Sequence, residues 1–269
     1  VKKLIKTALA ATALLSAGFS NANALSDQST LKSIAKSGEM KVCFDAGYMP
    51  FEMKTKKGGF IGFDIDLAKL MTKQMGVKFT PVNTAWDGII PAMLTGKCDI
   101  IMAGMTITAK RNMTVSFADP YVVVGQTIVL RPGLKDEIKS YRDLNDPKYT
   151  VTAKLGTTGE QAVKRLIRKA KLDLYETSSE AALEVMNGKA DAFIYDLPTN
   201  AVYSSQNKGK VLHLDQPFTY EPLGWAVRQG DPDFVNFLNN FLRQIKGDGS
   251  YDRIYNKWFN DDRWLSQVQ

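Results

Sequence analysis

A single histidine and two cysteines occur in 269 residues. Zinc fingers and catalytic histidine clusters need more such ligands, so neither a metal nor a cofactor is expected. No apolar run reaches the roughly 20 residues that a helix needs to cross hydrocarbon. A strong excess of one charge is also missing: 35 Lys and Arg stand against 28 Asp and Glu, and three of the lysines (Lys2, Lys3, Lys6) fall in the first six residues. Without those three the net charge is 32 minus 28, or +4. That is too mild to argue for nucleic acid, and no dense basic stripe with interleaved aromatics appears. What remains is ordinary globular composition, 44% hydrophobic and 23% charged, which excludes disorder, collagen and coiled coil and allows a large core.

The basic start is followed by an apolar run over residues 8–19 and then by Ala22-Asn23-Ala24, the small-x-small pattern of a cleavable export signal. Cleavage is expected after Ala24, leaving a soluble protein outside the cytoplasm. Cys43 and Cys98 then face an oxidising space. Each lies in an apolar, strand-like run, and both read as buried free thiols acting as small hydrophobes; a disulfide requires that the two strands be neighbours.

Strands and helices alternate from there on. Residues 41–44 read as a strand, and Asp64 or Asp66 can cap a helix carrying Leu67, Leu70 and Met71 on one face until Gly76 ends it. Strand 77–82 follows, then Trp86, Ile89, Ile90, Met93 and Leu94 at helical spacing, then the apolar strand 99–102. The order recurs later: Ser178 or Ser179 can cap a helix that stops at Gly188 before strand 190–195. Gly96-Lys97-Cys98-Asp99 and Gly188-Lys189-Ala190-Asp191 share Gly-Lys-x-Asp between helix and strand, which suggests two similar α/β lobes. The charged stretch 132–147 reads as a lobe connection plus surface loop. Asp231-Pro232 opens a helix ending at Gly247, and Tyr251, Ile254, Tyr255, Trp258 and Phe259 form the apolar face of a last one.

Residues outside the core pattern gather at strand ends, where open α/β sheets bind ligands. Arg111, after Gly104-x-Thr106, offers a planar fork and nearby amides that suit a carboxylate. Thr157-Thr158-Gly159 at a helix start adds unpaired amides from the other lobe. Asp196 can take an ammonium. An anion site facing an acid describes a receptor for a zwitterion.

At this point the chain resembles the bacterial extracellular solute-binding proteins of the polar amino acid type, the receptors of ABC importers. The resemblance is carried by Gly62-Phe63-Asp64-Ile65-Asp66-Leu67-Ala68, Trp86-Asp87-Gly88-Ile89-Ile90-Pro91-Ala92-Met93, Gly104-Met105-Thr106-Ile107-Thr108-Ala109-Lys110-Arg111 and Phe117-Ala118-Asp119-Pro120-Tyr121. It implies an α/β, two-lobed periplasmic-binding-protein fold of type II, with two open sheets flanked by helices and joined by two hinge strands, here 123–129 and 220–227. Residues 1–24 would be the signal peptide, 25–124 with 222–269 lobe one, and 125–221 lobe two. It further implies a periplasmic monomer that binds a free L-amino acid and docks on a membrane permease.

Carried over by position, Arg111 and the amides of Thr106 and Thr158 would hold the α-carboxylate. Asp196, the Gly104 carbonyl and the Thr106 hydroxyl would hold the ammonium, and Tyr48 and Trp86 would stack on the side chain. Asp45, Lys154 and Tyr195 stand where the family tunes side-chain choice. Ala103 replaces a serine of some basic amino acid receptors. Asp45 with Lys154 resembles a glutamine-type site, but Tyr195 stands where that type has histidine, so glutamine, basic and other polar ligands stay open. The main alternative is an exported dehydratase of the same fold acting on prephenate or arogenate, for which Asp45 or Glu160 would be the acid. His213, the lone imidazole, reads as structural, and a kinase-linked sensor would need a membrane segment that the sequence does not encode.

Overall fold

A computed structural model describes residues 29–268, so the expected signal segment lies outside the described residues. The chain begins with α1 (Thr30–Ser37) and runs through β1 (Glu39–Phe44), β2 (Met53–Lys54), β3 (Phe60–Ile61), α2 (Phe63–Met75), β4 (Lys78–Asn83), α3 (Ile89–Leu94), β5 (Ile100–Ile101), α4 (Ala109–Asn112) and β6 (Val115–Phe117). After β7 (Val122–Val124) come β8 (Gln126–Leu130), β9 (Thr150–Lys154), α5 (Thr158–Leu166), β10 (Lys171–Tyr175), α6 (Ser178–Met186), β11 (Ala192–Asp196), α7 (Leu197–Gln206) and β12 (Leu212–Leu214). The chain then returns through β13 (Glu221–Leu223) to β14 (Ala226–Arg228), α8 (Pro232–Gly247) and α9 (Ser250–Phe259).

Two five-stranded sheets result, ordered β4-β1-β5-β14-β6 and β10-β9-β11-β8-β12. In each, one strand pairs parallel with two others, β1 with β4 and β5, β9 with β10 and β11, while β8 and β14 run antiparallel to their neighbours. Parallel neighbours demand crossover helices, so helices cover the sheets. The chain passes between the sheets twice, through β7 and β13, which pair antiparallel with Val124 opposite Glu221 and Val122 opposite Leu223. This is the two-lobed architecture that the resemblance implied.

The repeated Gly-Lys-x-Asp has a structural meaning. Asp99 accepts the Lys41 amide at the start of β1, and Asp191 accepts the Thr150 amide at the start of β9, both at 2.8 Å. Each aspartate also faces an arginine, Arg228 at 3.9 Å and Arg131 at 2.7 Å. One residue thus fixes two neighbouring strands at the same end in both sheets.

The C-terminal chain completes the first lobe. Asp231 caps α8 by accepting the Phe234 amide and also binds Ser29 Oγ and the Thr30 amide. Phe234, Leu238, Phe241, Leu242 and Ile245 then bury one face, each contributing about 1.5–3 kcal/mol relative to exposure.

Four local expectations are corrected. Cys43 and Cys98 are disulfide-bonded, with Cα atoms 5.7 Å apart, because β1 and β5 are hydrogen-bonded neighbours in a register that pairs Val42 with Ile100. The cap of α6 is Thr177, in a capping box with Glu180, rather than Ser178 or Ser179. Neither Asp64 nor Asp66 caps α2. Its N-cap is Gly62, where a Cβ would overlap the Phe51 carbonyl, and Asp64 turns inward. Finally, the stretch 132–147 joins β8 to β9 within the second sheet, and Leu134, Ile138 and Leu144 enter that lobe's core instead of bridging lobes.

Candidate functional site

The loops after β1, β4 and β5 face the ends of β9 and β11 and the start of α5. Asp45, Tyr48, Trp86, Gly104, Thr106 and Arg111 come from the first lobe; Lys154, Thr158, Tyr195 and Asp196 come from the second. All ten line one enclosed slot, which Glu52, Ala103, Gln126 and Thr157 complete. The walls touch: Thr199 Oγ1 donates to the Met49 carbonyl at 2.6 Å, and Trp86 Nε1 to the Gly156 carbonyl at 3.1 Å. A larger crevice of about 1030 Å³ behind the hinge strands is lined by Val122, Val124, Trp258 and Trp264 among others, and none of the ten expected residues borders it.

At one end of the slot Thr108 caps α4 by accepting the Arg111 amide at 3.2 Å, which aims the Arg111 side chain inward. Its guanidinium donates to the Thr106 carbonyl at 2.8 Å and across the slot to the Gly156 carbonyl at 3.3 Å, and lies 5.3 Å from the Trp86 ring centre. Burial lowers its pKa to about 10, opposed by the charges of Glu221 and Asp196, so it remains a cation at neutral pH. The Thr106 and Thr158 hydroxyls approach to 3.3 Å beside it.

Asp196 closes β11 and is N-cap of α7 by position, but its carboxyl faces the slot rather than the helix. It accepts the Tyr48 hydroxyl at 2.5 Å and Gln126 Nε2 at 2.6 Å. Burial raises its pKa to about 7 despite the Tyr48 hydrogen bond. Gly104 must be glycine: its φ is +54° and a Cβ would run into the Tyr48 ring. Its amide is committed to Asp64 at 2.9 Å, which leaves its carbonyl as the polar group open to a ligand.

The opposite end carries the Lys154–Asp45 ion pair, with Lys154 5.8 Å from the Trp86 ring centre. Tyr48 stacks on Phe51 at 4.5 Å and meets Tyr195 edge-on at 5.6 Å. These flat rings hold the slot narrow beside the ion pair, of which Lys154 is the buried member.

Neither of the other chemical candidates belongs to this wall. Glu160 binds the Gly156 amide at 2.6 Å and Lys164 at 2.5 Å, stabilising the start of α5. His213 sits on β12 with Nε2 3.0 Å from Thr127 Oγ1. Sequence reasoning missed Gln126 and Glu52. Gln126 could have been noticed as the one amide heading the apolar run 126–130, and Glu52 as an acid directly after Pro50-Phe51. Among the described residues there is no cluster of His, Cys, Asp or Glu able to hold a metal, and no helix is long and apolar enough to cross a membrane.

The sequence profile described as "Bacterial extracellular solute-binding proteins, family 3" matches residues 40–261. The "Probable histidine-binding protein" of Neisseria gonorrhoeae is 34% identical over 223 residues, 81% of this chain and 82% of that protein. Among solved structures, a protein from Wolinella succinogenes DSM 1740, assigned as an ABC-transporter binding component and complexed with lysine, is 54% identical with a TM-score of 0.82, covering 86% of this chain and 99% of that one. An ancestral amino acid-binding protein described as a precursor of cyclohexadienyl dehydratase is 50% identical with a TM-score of 0.81, with the same coverage.

Proposed function

The chain belongs to the bacterial extracellular solute-binding proteins of family 3, and from that premise we propose that it is the periplasmic receptor of an ABC importer for a free polar or basic amino acid. In this reading the signal segment is removed after Ala24, and the mature protein acts as a monomer that presents its closed form to a permease. The lobes comprise residues 25–124 with 222–269, and 125–221. The protein performs no chemistry on its ligand.

One observation carries the reading: a cation, Arg111, and an acid, Asp196, stand in the same enclosed slot, supplied by opposite lobes. Arg111 takes the α-carboxylate with the amides of Thr106 and Thr158. Asp196 takes the ammonium with the Gly104 carbonyl and the Thr106 hydroxyl, and Tyr48 and Trp86 clasp the side chain. Asp45, Lys154 and Tyr195 meet its tip. Because each lobe holds half of these partners, the ligand gains its full contacts only when the lobes close, and it shifts the population towards the closed form by that difference in affinity.

The test is a thermal-shift screen of the common amino acids on refolded, ligand-stripped protein, in which one or a few members should raise the melting temperature. Arg111→Ala should weaken that ligand at least about tenfold, 1.4 kcal/mol, with the unliganded melting temperature retained; unchanged affinity by calorimetry refutes the carboxylate assignment. A second reading, an exported dehydratase, draws on the likeness to the ancestral precursor. Its candidate acids are otherwise engaged, Glu160 at the start of α5 and Asp45 with Lys154. Prephenate incubated with the protein should keep its spectrum.

A further inference from the structure

One acid in the slot has no task in the scheme above. Glu52 lines the slot and is wholly buried, and neither of its carboxyl oxygens accepts a hydrogen bond. Its neighbour is the equally buried carboxyl of Asp64. Asp64 Oδ2 is saturated by the Gly104 amide and the Tyr121 hydroxyl, each at 2.9 Å, while Oδ1 has no donor. Two buried carboxyls in contact do not both ionise. A proton on Glu52 donated to Asp64 Oδ1 meets both deficits at once and leaves one negative charge on the pair. The arrangement agrees with the electrostatics: burial and the charges of Asp64 and Asp45 push Glu52 well up against the pull of Lys154, while Asp64, relieved by its donors, is raised only to about 7.

The other charged groups around the slot are already matched. Asp45 holds Lys154, and Arg111 and Asp196 stand at the far end for the ligand's own two charges. A cationic ligand tip entering this end therefore needs an anion beyond Asp45, since a buried charge without a partner is costly.

We infer that Glu52 and Asp64 form a one-proton carboxyl pair whose single negative charge is the counter-charge for a basic ligand side chain. The inference rests on the amino acid receptor reading. When lysine or arginine docks, the proton moves from the Glu52 oxygen to Asp64 Oδ1, the carboxylate faces the ligand on Glu52, and Asp64 becomes the donor. No proton need enter or leave the protein. A neutral side chain leaves the proton on Glu52.

The experiment is calorimetry of lysine, arginine and glutamine on ligand-stripped protein between pH 8 and pH 5. Glutamine is the reference, because Asp196 and Arg111 act on every amino acid alike and cancel in the ratio of affinities. Below the pH at which the pair takes a second proton, the ratio of lysine to glutamine affinity should fall by about tenfold for each pH unit at most, and Glu52→Gln should cost lysine at least about tenfold more than glutamine. A ratio that stays flat with pH in the unmodified protein overturns the inference, and it does so whether or not the variant folds. So does a variant that weakens both ligands equally. Binding of glutamine but neither basic amino acid sinks this inference alone, whereas binding of no amino acid sinks the receptor reading with it.

Discussion

Removing the Cys43–Cys98 bond by a Cys43→Ala, Cys98→Ala double substitution tests how the first lobe is held. The linked residues are 55 apart in sequence, and closing a loop of that length removes about 4 kcal/mol of entropy-derived freedom from the unfolded chain. The cysteines are wholly buried, but neither lines the slot. The loss should therefore fall on stability and leave binding within about threefold, under 1 kcal/mol. In urea, a slope near 3 kcal/mol/M converts the loss into a midpoint lower by about 1 to 2 M. The assay is equilibrium unfolding of the oxidised protein and the double variant, followed by fluorescence and by circular dichroism. A shift below about 0.3 M, with unchanged slope, would refute the argument, since it would mean that the cross-link constrains nothing in the unfolded state that β1 and β5 do not already share.

Three further outcomes follow from the slot. Asp196 and Asp64 are both held near pH 7, above the ordinary 3.8, so the folded unliganded state prefers their protonated forms; they withdraw stability as pH rises from about 4 to about 7. Melting of ligand-free protein should accordingly be higher at about pH 5 than at about pH 7.5, and a flat or opposite trend contradicts the burial argument. Binding runs the other way: the ligand ammonium needs Asp196 charged, so calorimetric affinity for any amino acid should drop as pH falls below about 7, by up to about tenfold per unit. Lys154→Met would leave the half-buried Asp45 without its partner, and the preference for lysine over glutamine should rise at least about tenfold by calorimetry; an unchanged preference removes Lys154 from side-chain choice.

The fold was legible where period and punctuation agree. Leu67, Leu70 and Met71 before Gly76, and Phe234 to Ile245 behind Asp231-Pro232, mark helices because apolar spacing and termini point the same way. The strand-end rule also gathered Asp45, Trp86, Arg111 and Asp196 from distant stretches, although pattern alone says nothing of which residue faces which. Register was not legible. Cys43 and Cys98 sit in apolar runs whose adjacency depends on a crossover through α2, β4 and α3. Asp64 looked like a helix cap because acids near a helix start usually serve there, but tertiary donors from Gly104 and Tyr121 claimed it. Glu52 was passed over for the same reason: its partner is 12 residues away, on a different element.

The placement of β14 between β5 and β6 has a consequence for how the chain matures. Every strand of the second sheet lies within residues 126–214, so that half can be finished while the remainder of the polypeptide is still emerging. The other half waits. Its central gap is filled only by residues 226–228, and Asp231 then secures Ser29 and Thr30 some 200 positions earlier. Of the described residues, the segment that comes out first is thus the one that settles last, with its apolar strand edges uncovered in the interval.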